Sequence, residues 1–357
     1  MYINDAQRLI ISLFKRQVET GRRFSVELEA GPGMGKSEAT SQLPKILAKD
    51  MELEEIGFKP FFLSTLEQPD VRGFGLPAKD TDGTPIMTFT QAPWMPRSGD
   101  PSHGIIFLDE FRQAGHDVQK PAAELLLNGR VGDSQLPITW MVVAASNREE
   151  DRSGVNRELA FVSNRRMLIK IKPNLDAWCK WAETPENDIH WAAVAFAKHM
   201  PGDVFKEAVP TKSGPFCTPR SLVQASYLIG QLEDSLLTEA VVGLLGEGTG
   251  AKFVAFLRVA ESLPDFAEIV AAPKTAPVPD KDRPDAQFAT MQMIAHRTSD
   301  DTATAAFEYL KRMPREFQVA GLQSVLRKTP SVAYSKDFSS WLRANKDLVT
   351  KSNLLEN

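Results

Sequence analysis

A glycine-rich segment between an apolar run and a helix pattern constrains the fold of this chain most strongly. The segment is AGPGMGKS, residues 30–37, and it follows the alternating run FSVELEA at 24–30. Glycines let successive backbone N–H groups turn inward around an anion, and the positive end of the following helix points at the same place. The pattern therefore predicts a strand, a phosphate-binding loop and a helix, in that order. An ordinary glycine-rich turn is the alternative, which the flanking strand and helix patterns disfavour.

Each residue of this loop has an expected task. Lys36 can reach the β- and γ-phosphates of a nucleotide, and the Ser37 hydroxyl can bind Mg²⁺. The backbone contacts to the phosphates are expected from Gly31, Pro32, Gly33, Met34 and Gly35. Ala30 stands where the usual pattern has glycine, and because alanine is the smallest alternative we expect the loop to keep its shape. Slow catalysis is the other outcome that this departure allows.

A second apolar run ends in two acids. The run GIIFLDEF, residues 104–111, is typical of a buried strand, and its carboxyl end carries Asp109 and Glu110. Open α/β sheets bind ligands at the carboxyl ends of their strands. We expect Asp109 to hold Mg²⁺ and Glu110 to polarise an attacking water as general base. An acidic strand end alone is often merely solvated, but downstream of a phosphate-binding loop it indicates the second half of one site.

Four more polar residues are candidates. Asn147 ends the apolar run TWMVVAASN and can orient the attacking water or contact the γ-phosphate, with capping of the next turn as the alternative. Arg165 and Arg166 precede the last strand pattern, and an arginine at a transferring phosphoryl group can raise the rate by several orders of magnitude. A solvated basic strand entrance is the alternative for this pair. Arg220 opens a later helix, where it can swing over the nucleotide or pair with a surface acid.

The succession of patterns predicts the fold class and the domains. Short apolar runs alternate with helical stretches, which is typical of an α/β fold with a parallel sheet and helices on both faces. The later part of the chain is helical and is interrupted by a polar, proline-rich run. We expect an α/β nucleotide-binding domain at 1–173, a helical lid domain at 174–271, a linker at 272–285 and a C-terminal helical region at 286–357.

Composition narrows the class of protein further. The chain has 42 Lys plus Arg against 46 Asp plus Glu, a net charge of -4, which argues against a nucleic-acid coat while leaving a local basic groove open. Its two cysteines, Cys179 and Cys217, show neither disulfide nor zinc-site spacing, so a reducing, cytoplasmic location fits. We find no signal-peptide pattern and no long apolar run, and therefore expect a soluble protein without a membrane segment.

Taken together, the motifs resemble those of the MoxR branch of the AAA+ ATPases. The similar segments lie within about residues 24–230 and are AGPGMGKS, EQPDVRGFGLP, LDEFRQA, AASN, SNRR and TPRS. The resemblance implies an AAA+ P-loop NTPase fold with ATP and Mg²⁺ as ligands. It also implies Lys36 and Ser37 at phosphate and metal, Asp109 and Glu110 at metal and water, Asn147 as a sensor, Arg165 as a finger from a neighbouring subunit, and Arg220 as the lid sensor.

The resemblance further implies a ring and a protein partner. AAA+ relatives are typically hexamers, and MoxR-like ATPases commonly work with a von Willebrand factor A-type protein. Pore-lining loops would come from the connection at 67–103, with Phe74 and Met87, and from the stretch at 128–137; packing over the sheet edge is the alternative. Arg166 stands where the family usually has an aromatic residue, so the choice of finger between Arg165 and Arg166 stays open.

The leading hypothesis is a Mg²⁺-dependent, ring-forming ATPase that remodels a partner protein. A DNA-directed motor or loader is the first alternative, and stimulation of hydrolysis by DNA with a steep salt dependence would separate the two. A nucleotide-binding switch with little hydrolysis is the second alternative, which phosphate release by the purified protein would distinguish.

Overall fold

The computed structural model divides the chain into two compact units. The described residues are 1–151, 154–155, 160–206, 208–210 and 214–344. Unit 1 holds those within Met1–Ala177 and Phe205–Lys212, and unit 2 those within Trp178–Val204 and Ser213–Asn357. The end of the helical region predicted for 286–357 lies outside the described residues from position 345 onward.

A parallel sheet forms the centre of unit 1. The strands of the described chain are β1 Val26–Glu29, β2 Gly57–Phe62, β3 Gly75–Lys79, β4 Pro85–Phe89, β5 Gly104–Asp109, β6 Arg130–Val131, β7 Ser134–Gln135, β8 Trp140–Ser146 and β9 Met167–Lys170. Five of these described strands pair in parallel in the order β2-β5-β8-β1-β9, whereas β3–β4 and β6–β7 are antiparallel hairpins. The strand that precedes the glycine-rich loop is therefore an inner strand, with β8 and β9 as its neighbours.

Helices cover both faces of this sheet. They are α1 Ile3–Thr20, α2 Lys36–Ser41, α3 Leu43–Asp50, α4 Gln68–Arg72, α5 His116–Asn128 and α6 Ala160–Ser163, followed by α7 Leu175–Ala182 at the boundary of the units. One apolar layer joins Phe14 of α1 and Leu43 of α3 to the sheet, and the other joins Val118 and Leu125 of α5 to its opposite face. The predicted α/β class, a parallel sheet between two helical layers, is confirmed.

The helix ends follow local rules. Gly21 ends α1 in the left-handed conformation, at φ 69°, which glycine adopts without a steric penalty. The segment after the glycine-rich loop forms two helices, α2 and α3, which meet at Gln42, and Pro44 lies in the first turn of α3. Proline lacks an N–H and crowds the preceding turn, so one continuous helix is disfavoured here.

Unit 2 is helical in its described residues. Its helices are α8 Trp191–His199, α9 Pro201–Val204, α10 Pro219–Ser226, α11 Asp234–Leu245, α12 Glu247–Glu261, α13 Phe266–Ala271, α14 Pro284–Arg297, α15 Ala303–Leu310, α16 Arg315–Lys328 and α17 Lys336–Ala344. Two side chains hold the proline-rich segment before α14 by hydrogen bonds to its carbonyl groups: Tyr309 of α15, and Arg312 just after that helix. Tyr309 donates to the Pro277 carbonyl at 2.5 Å, and burial raises the pKa of Tyr309 to about 12. No helix in the described part of the chain is both long and apolar enough to span a bilayer.

One tryptophan explains two glycines in the sheet. Gly57 of β2 pairs with Gly104 of β5, which in turn pairs with Trp140 of β8. A Cβ atom at Gly104 would lie 2.5 Å from the Trp140 ring, and one at Gly57 would lie 2.6 Å from it. The buried indole therefore lies across the backbones of two neighbouring strands, which only glycine permits.

We predict that Gly104→Ala lowers the free energy of unfolding by about 1–3 kcal/mol, because the added methyl group overpacks the ring. Urea unfolding followed by circular dichroism measures the change. The matched control is Gly104→Ala combined with Trp140→Leu, in which the smaller side chain leaves room, so the combined cost should be less than the sum of the two single costs. Additive costs would contradict this packing explanation.

Candidate nucleotide-binding site

The sheet topology brings the separate polar motifs to one edge. The loop at 30–37 follows β1, Asp109 and Glu110 lie at the end of β5, and Asn147 follows β8. These strands are neighbours in the order β5-β8-β1, and in a parallel sheet their carboxyl ends lie on the same side. Motifs that are far apart in sequence are therefore adjacent in space.

The backbone of the glycine-rich loop explains which positions need glycine. Gly33 and Gly35 have φ values of 71° and 77°, a region that side chains rarely adopt. Ala30 does not have a positive φ, and its buried N–H lies 3.3 Å from the Ser146 carbonyl oxygen that accepts it. Alanine is therefore compatible with the first position of the loop.

Lys36 joins this loop to the end of β8. Its Nζ atom donates to the carbonyl oxygens of Ala30 and Gly31 at 2.9 and 3.1 Å, and to Oδ1 of Asn147 at 2.9 Å. Lys36 is only 7% exposed. The buried ammonium group of Lys36 and the neutral amide of Asn147 are therefore adjacent. This combination suits the terminal phosphates of a nucleotide.

Ser37 joins the same loop to the end of β5. Its Oγ donates to Oδ2 of Asp109 at 2.5 Å, while Oδ1 of Asp109 accepts from the Glu110 backbone N–H at 2.9 Å. Hydroxyl and carboxylate oxygens are the hard donors that Mg²⁺ prefers, and Mg²⁺ completes its shell with water and substrate phosphates. Among the described residues, no cluster of three or more His, Cys, Asp or Glu could hold a metal. The Ser37 hydroxyl and the Asp109 carboxylate supply two oxygen donors, which suit Mg²⁺ bound together with phosphate oxygens.

Glu110 occupies an unusual backbone conformation at the edge of the site. Its φ is 56°, in the left-handed region, where a non-glycine residue stores strain. Its carbonyl accepts from the N–H groups of Gln113 and Ala114, which anchors the turn. The carboxylate accepts a close hydrogen bond from Oγ of Ser64, which follows β2. Ser64 was not predicted as a site residue, although a hydroxyl directly after the strand beside β5 is a sequence signal for it.

Arg148 is a second residue that sequence reasoning missed. It follows Asn147 and forms a bidentate pair with Asp151, Nε to Oδ2 at 3.0 Å and Nη2 to Oδ1 at 2.7 Å. The hydrogen bond to Asp151 raises the pKa of Arg148. A Cβ at Gly31 would lie 3.0 Å from Nη2 of Arg148, so the guanidinium packs directly against the start of the loop.

The three arginines predicted from the sequence have different environments. Arg165 is exposed in the turn after α6. The side chain of Arg166 is 2% exposed, and its Nε donates a close hydrogen bond to the buried carboxylate of Glu27 on β1. Arg220 belongs to unit 2, where it is exposed in the first turn of α10, a helix that Thr218 caps through a hydrogen bond from the Ser221 N–H.

Comparisons with known proteins add only weak similarities. No protein-family model and no curated protein matches the chain. A RuvB mutant of Thermotoga maritima is 14% identical over 76% of each chain, with a TM-score of 0.40. A putative ATPase of Cytophaga hutchinsonii is 15% identical over 91% of this chain and 89% of that chain, with a TM-score of 0.32. NtrX of Brucella abortus is 12% identical over 72% and 68%, also with a TM-score of 0.32. The fold assignment therefore rests on the strand order and the loop geometry.

Proposed function

We propose that this chain is a Mg²⁺-dependent ATPase. The observation that supports it best is the meeting of two hydrogen-bonded pairs, Lys36 with Asn147 and Ser37 with Asp109, at one edge of the sheet. One pair supplies a cation and an amide for the terminal phosphates, and the other supplies oxygen ligands for a metal. Hydrolysis of a nucleoside triphosphate requires both functions side by side.

In the proposed reaction the loop from Gly31 to Gly35 contacts the phosphates through its backbone N–H groups. Lys36 and Asn147 bind the oxygens of the γ-phosphate, where negative charge must be stabilised as the β–γ bond breaks. Ser37 and Asp109 would hold Mg²⁺, which neutralises charge on the β- and γ-phosphates. Glu110 accepts the proton of the attacking water.

Ser64 gives this reaction a resting state. Its hydroxyl binds the Glu110 carboxylate, and an acid held in this way is less available as a base. Glu110 becomes available when its side chain leaves Ser64, and the strained φ of Glu110 makes a change in this turn less costly than in relaxed backbone. We propose that nucleotide binding favours this release.

The environments of Arg165 and Arg166 support the proposal that the chain assembles into a ring. The side chain of Arg166 is hydrogen-bonded to the buried carboxylate of Glu27, whereas the adjacent Arg165 is exposed. We assign Arg165 as the finger that completes the site of a neighbouring subunit in a homo-oligomeric ring, with a hexamer as the expected form. Arg220 is assigned as the lid sensor by its position in the TPRS motif alone.

Exposed apolar side chains support a remodelling role. Phe74 and Met87 on the β3–β4 hairpin are 63% and 65% exposed, and Leu76 and Ile86 of the same hairpin are also exposed. The β6–β7 hairpin contacts it, because Oδ2 of Asp133 accepts from the Phe89 N–H at 3.3 Å. We propose that these two hairpins contact the protein substrate. A von Willebrand factor A-type partner follows from the MoxR resemblance alone.

We predict that Lys36→Ala weakens nucleotide binding roughly 10- to 150-fold, the range expected for losing a hydrogen bond to a charged group. Titration with a fluorescent ATP analogue measures the affinity. Lys45→Ala removes an exposed lysine from α3, and this control should bind like the parent chain. Unchanged affinity in Lys36→Ala would refute the phosphate role of the loop.

We predict that Ser64→Ala raises the basal ATPase rate by about fivefold, since a hydrogen bond with a net value near 1 kcal/mol no longer restrains Glu110. Phosphate release under saturating ATP measures the rate. Glu110→Gln, with or without Ser64→Ala, should lower the rate by about 10²–10⁴-fold while ATP still binds. A Ser64→Ala rate at or below that of the parent chain would contradict the resting-state role.

We predict that two inactive variants restore activity when mixed. The Arg165→Ala subunit retains Glu110, and the Glu110→Gln subunit retains Arg165. In a mixed ring, some sites therefore combine Glu110 from one subunit with Arg165 from its neighbour. Phosphate release measured across mixing ratios should pass through a maximum. A rate that stays at the level of the separate variants at every ratio argues for a site within one chain.

A further inference from the structure

The inner strand β1 carries two buried carboxylates. All its residues are buried, and their side chains alternate between the sheet faces. Val26 and Leu28 belong to the apolar layer under α1 and α3. Glu27 and Glu29 point to the other face, where Glu27 is 0% and Glu29 is 7% exposed. Buried charges are costly unless they are paired, so the partners of these two acids explain their presence.

The first partner is Arg112, which follows the hydrolytic acid Glu110 by two residues. Its Nε donates to Oε1 of Glu27 at 2.8 Å, and its Nη2 donates a close hydrogen bond to Oε2 of Glu29. Burial opposes ionisation of Glu29, but hydrogen bonding and the charge of Arg112 outweigh it, so the pKa of Glu29 is lowered. The Arg112 backbone N–H also donates to Oγ of Ser146 at 3.3 Å.

The second partner is Arg166. Its Nε donates to Oε2 of Glu27, the oxygen that Arg112 does not use. Glu27 is therefore shared, with one oxygen bound to the arginine beyond β5 and the other to the arginine before β9. Lys170 completes the cluster at its exposed rim, 3.5 Å from Oε1 of Glu29. We name Glu27, Glu29, Arg112, Arg166 and Lys170 the charge cluster.

Three members of the charge cluster, Glu29, Arg112 and Arg166, lie close in sequence to residues of the proposed site. Glu29 precedes Ala30 of the phosphate-binding loop, and Ser146, which Arg112 contacts, precedes Asn147. Arg112 is two residues from Glu110, and Arg166 directly follows Arg165. Apolar side chains would fill this space at lower cost, but they would not fix the orientation of these segments as the shared ion pairs do.

We propose that Glu27 is a positioning residue, which couples the position of Arg165 to the hydrolytic site of the same subunit. Glu27 binds the side chain of Arg166 and so fixes the turn from which Arg165 projects, while Arg112 connects the same carboxylate to the turn of Glu110. A displacement of Glu110 is thereby transmitted to the arginine that the subunit offers to its neighbour. This inference rests on the proposed function, in which Arg165 acts in trans.

The test measures how well a subunit donates its arginine. Arg165→Ala subunits can hydrolyse ATP only with an arginine from a neighbour, and Glu110→Gln subunits can only donate one. We compare Arg165→Ala mixed with Glu110→Gln and Arg165→Ala mixed with the double variant Glu27→Gln plus Glu110→Gln. The second mixture should release phosphate roughly 10- to 100-fold more slowly, because a displacement of about 1 Å can cost 10²-fold. The ATP affinity of Glu27→Gln should stay within about twofold of the parent, since no phosphate-binding group is changed.

Two controls separate positioning from stability. Lys170→Ala removes the exposed ion pair of the same cluster but leaves Glu27 with both arginines, so Lys170→Ala plus Glu110→Gln should donate as well as Glu110→Gln alone. Arg166→Lys keeps the charge and loses the planar fork, and it should lose donation like Glu27→Gln. It also serves as the test variant if Glu27→Gln does not fold. Thermal unfolding of each variant identifies any loss of folded protein.

The outcomes are distinct. Loss of donation with Glu27→Gln at unchanged ATP affinity supports the positioning role. If Glu110→Gln restores activity to Arg165→Ala and the double variant Glu27→Gln plus Glu110→Gln restores it equally well, this inference is overturned. The ATPase proposal then remains intact. If Glu110→Gln itself restores no activity to Arg165→Ala, the trans site is wrong, and the positioning of Arg165 is wrong with it.

Discussion

Two hydrogen bonds tie the ends of three adjacent strands together, and the proposed chemistry depends on them. Lys36 reaches Asn147 at the end of β8, and Ser37 reaches Asp109 at the end of β5. Both donors stand on the loop that follows β1, so one turn of backbone sets the distances among a cation, an amide, a hydroxyl and a carboxylate. A site of this kind needs little rearrangement to receive a phosphate group, because its charged groups are already fixed by the sheet.

One face of β1 carries buried charges instead of apolar side chains. A fully buried inner strand in a parallel sheet is usually apolar on both faces, yet β1 buries two glutamates. Their ion pairs with Arg112 and Arg166 contribute little to net stability, since desolvation offsets most of the attraction. The ion pairs instead fix the orientation of the two arginine side chains, because carboxylate oxygens at defined positions hold each guanidinium. The strand thus links the edge of the sheet that carries the glycine-rich loop to the turn that carries the exposed Arg165.

The two parts of the site differ in rigidity. The glycine-rich loop is anchored by left-handed glycines and by buried hydrogen bonds, whereas Glu110 lies in a strained turn and binds the hydroxyl of Ser64, in the turn after β2. Under the proposed function, a rigid loop beside a strained acid would let the chain bind nucleotide before hydrolysis begins. Such an order would suit the proposed ring, in which hydrolysis waits for a neighbouring subunit.

The local elements and the residue types of the site could be predicted from the order of the amino acids. The alternation before Ala30, the glycines of the loop and the apolar run ending in Asp109 each depend on contacts within a few residues, so the parallel α/β class and the loop could be predicted. The tertiary structure alone decided that Ser64 binds Glu110, that Arg148 packs on Gly31, and that Arg166 is buried on Glu27 while Arg165 is exposed. These contacts join residues on different strands and turns, and their partners follow from strand order and side-chain direction, which no local pattern encodes.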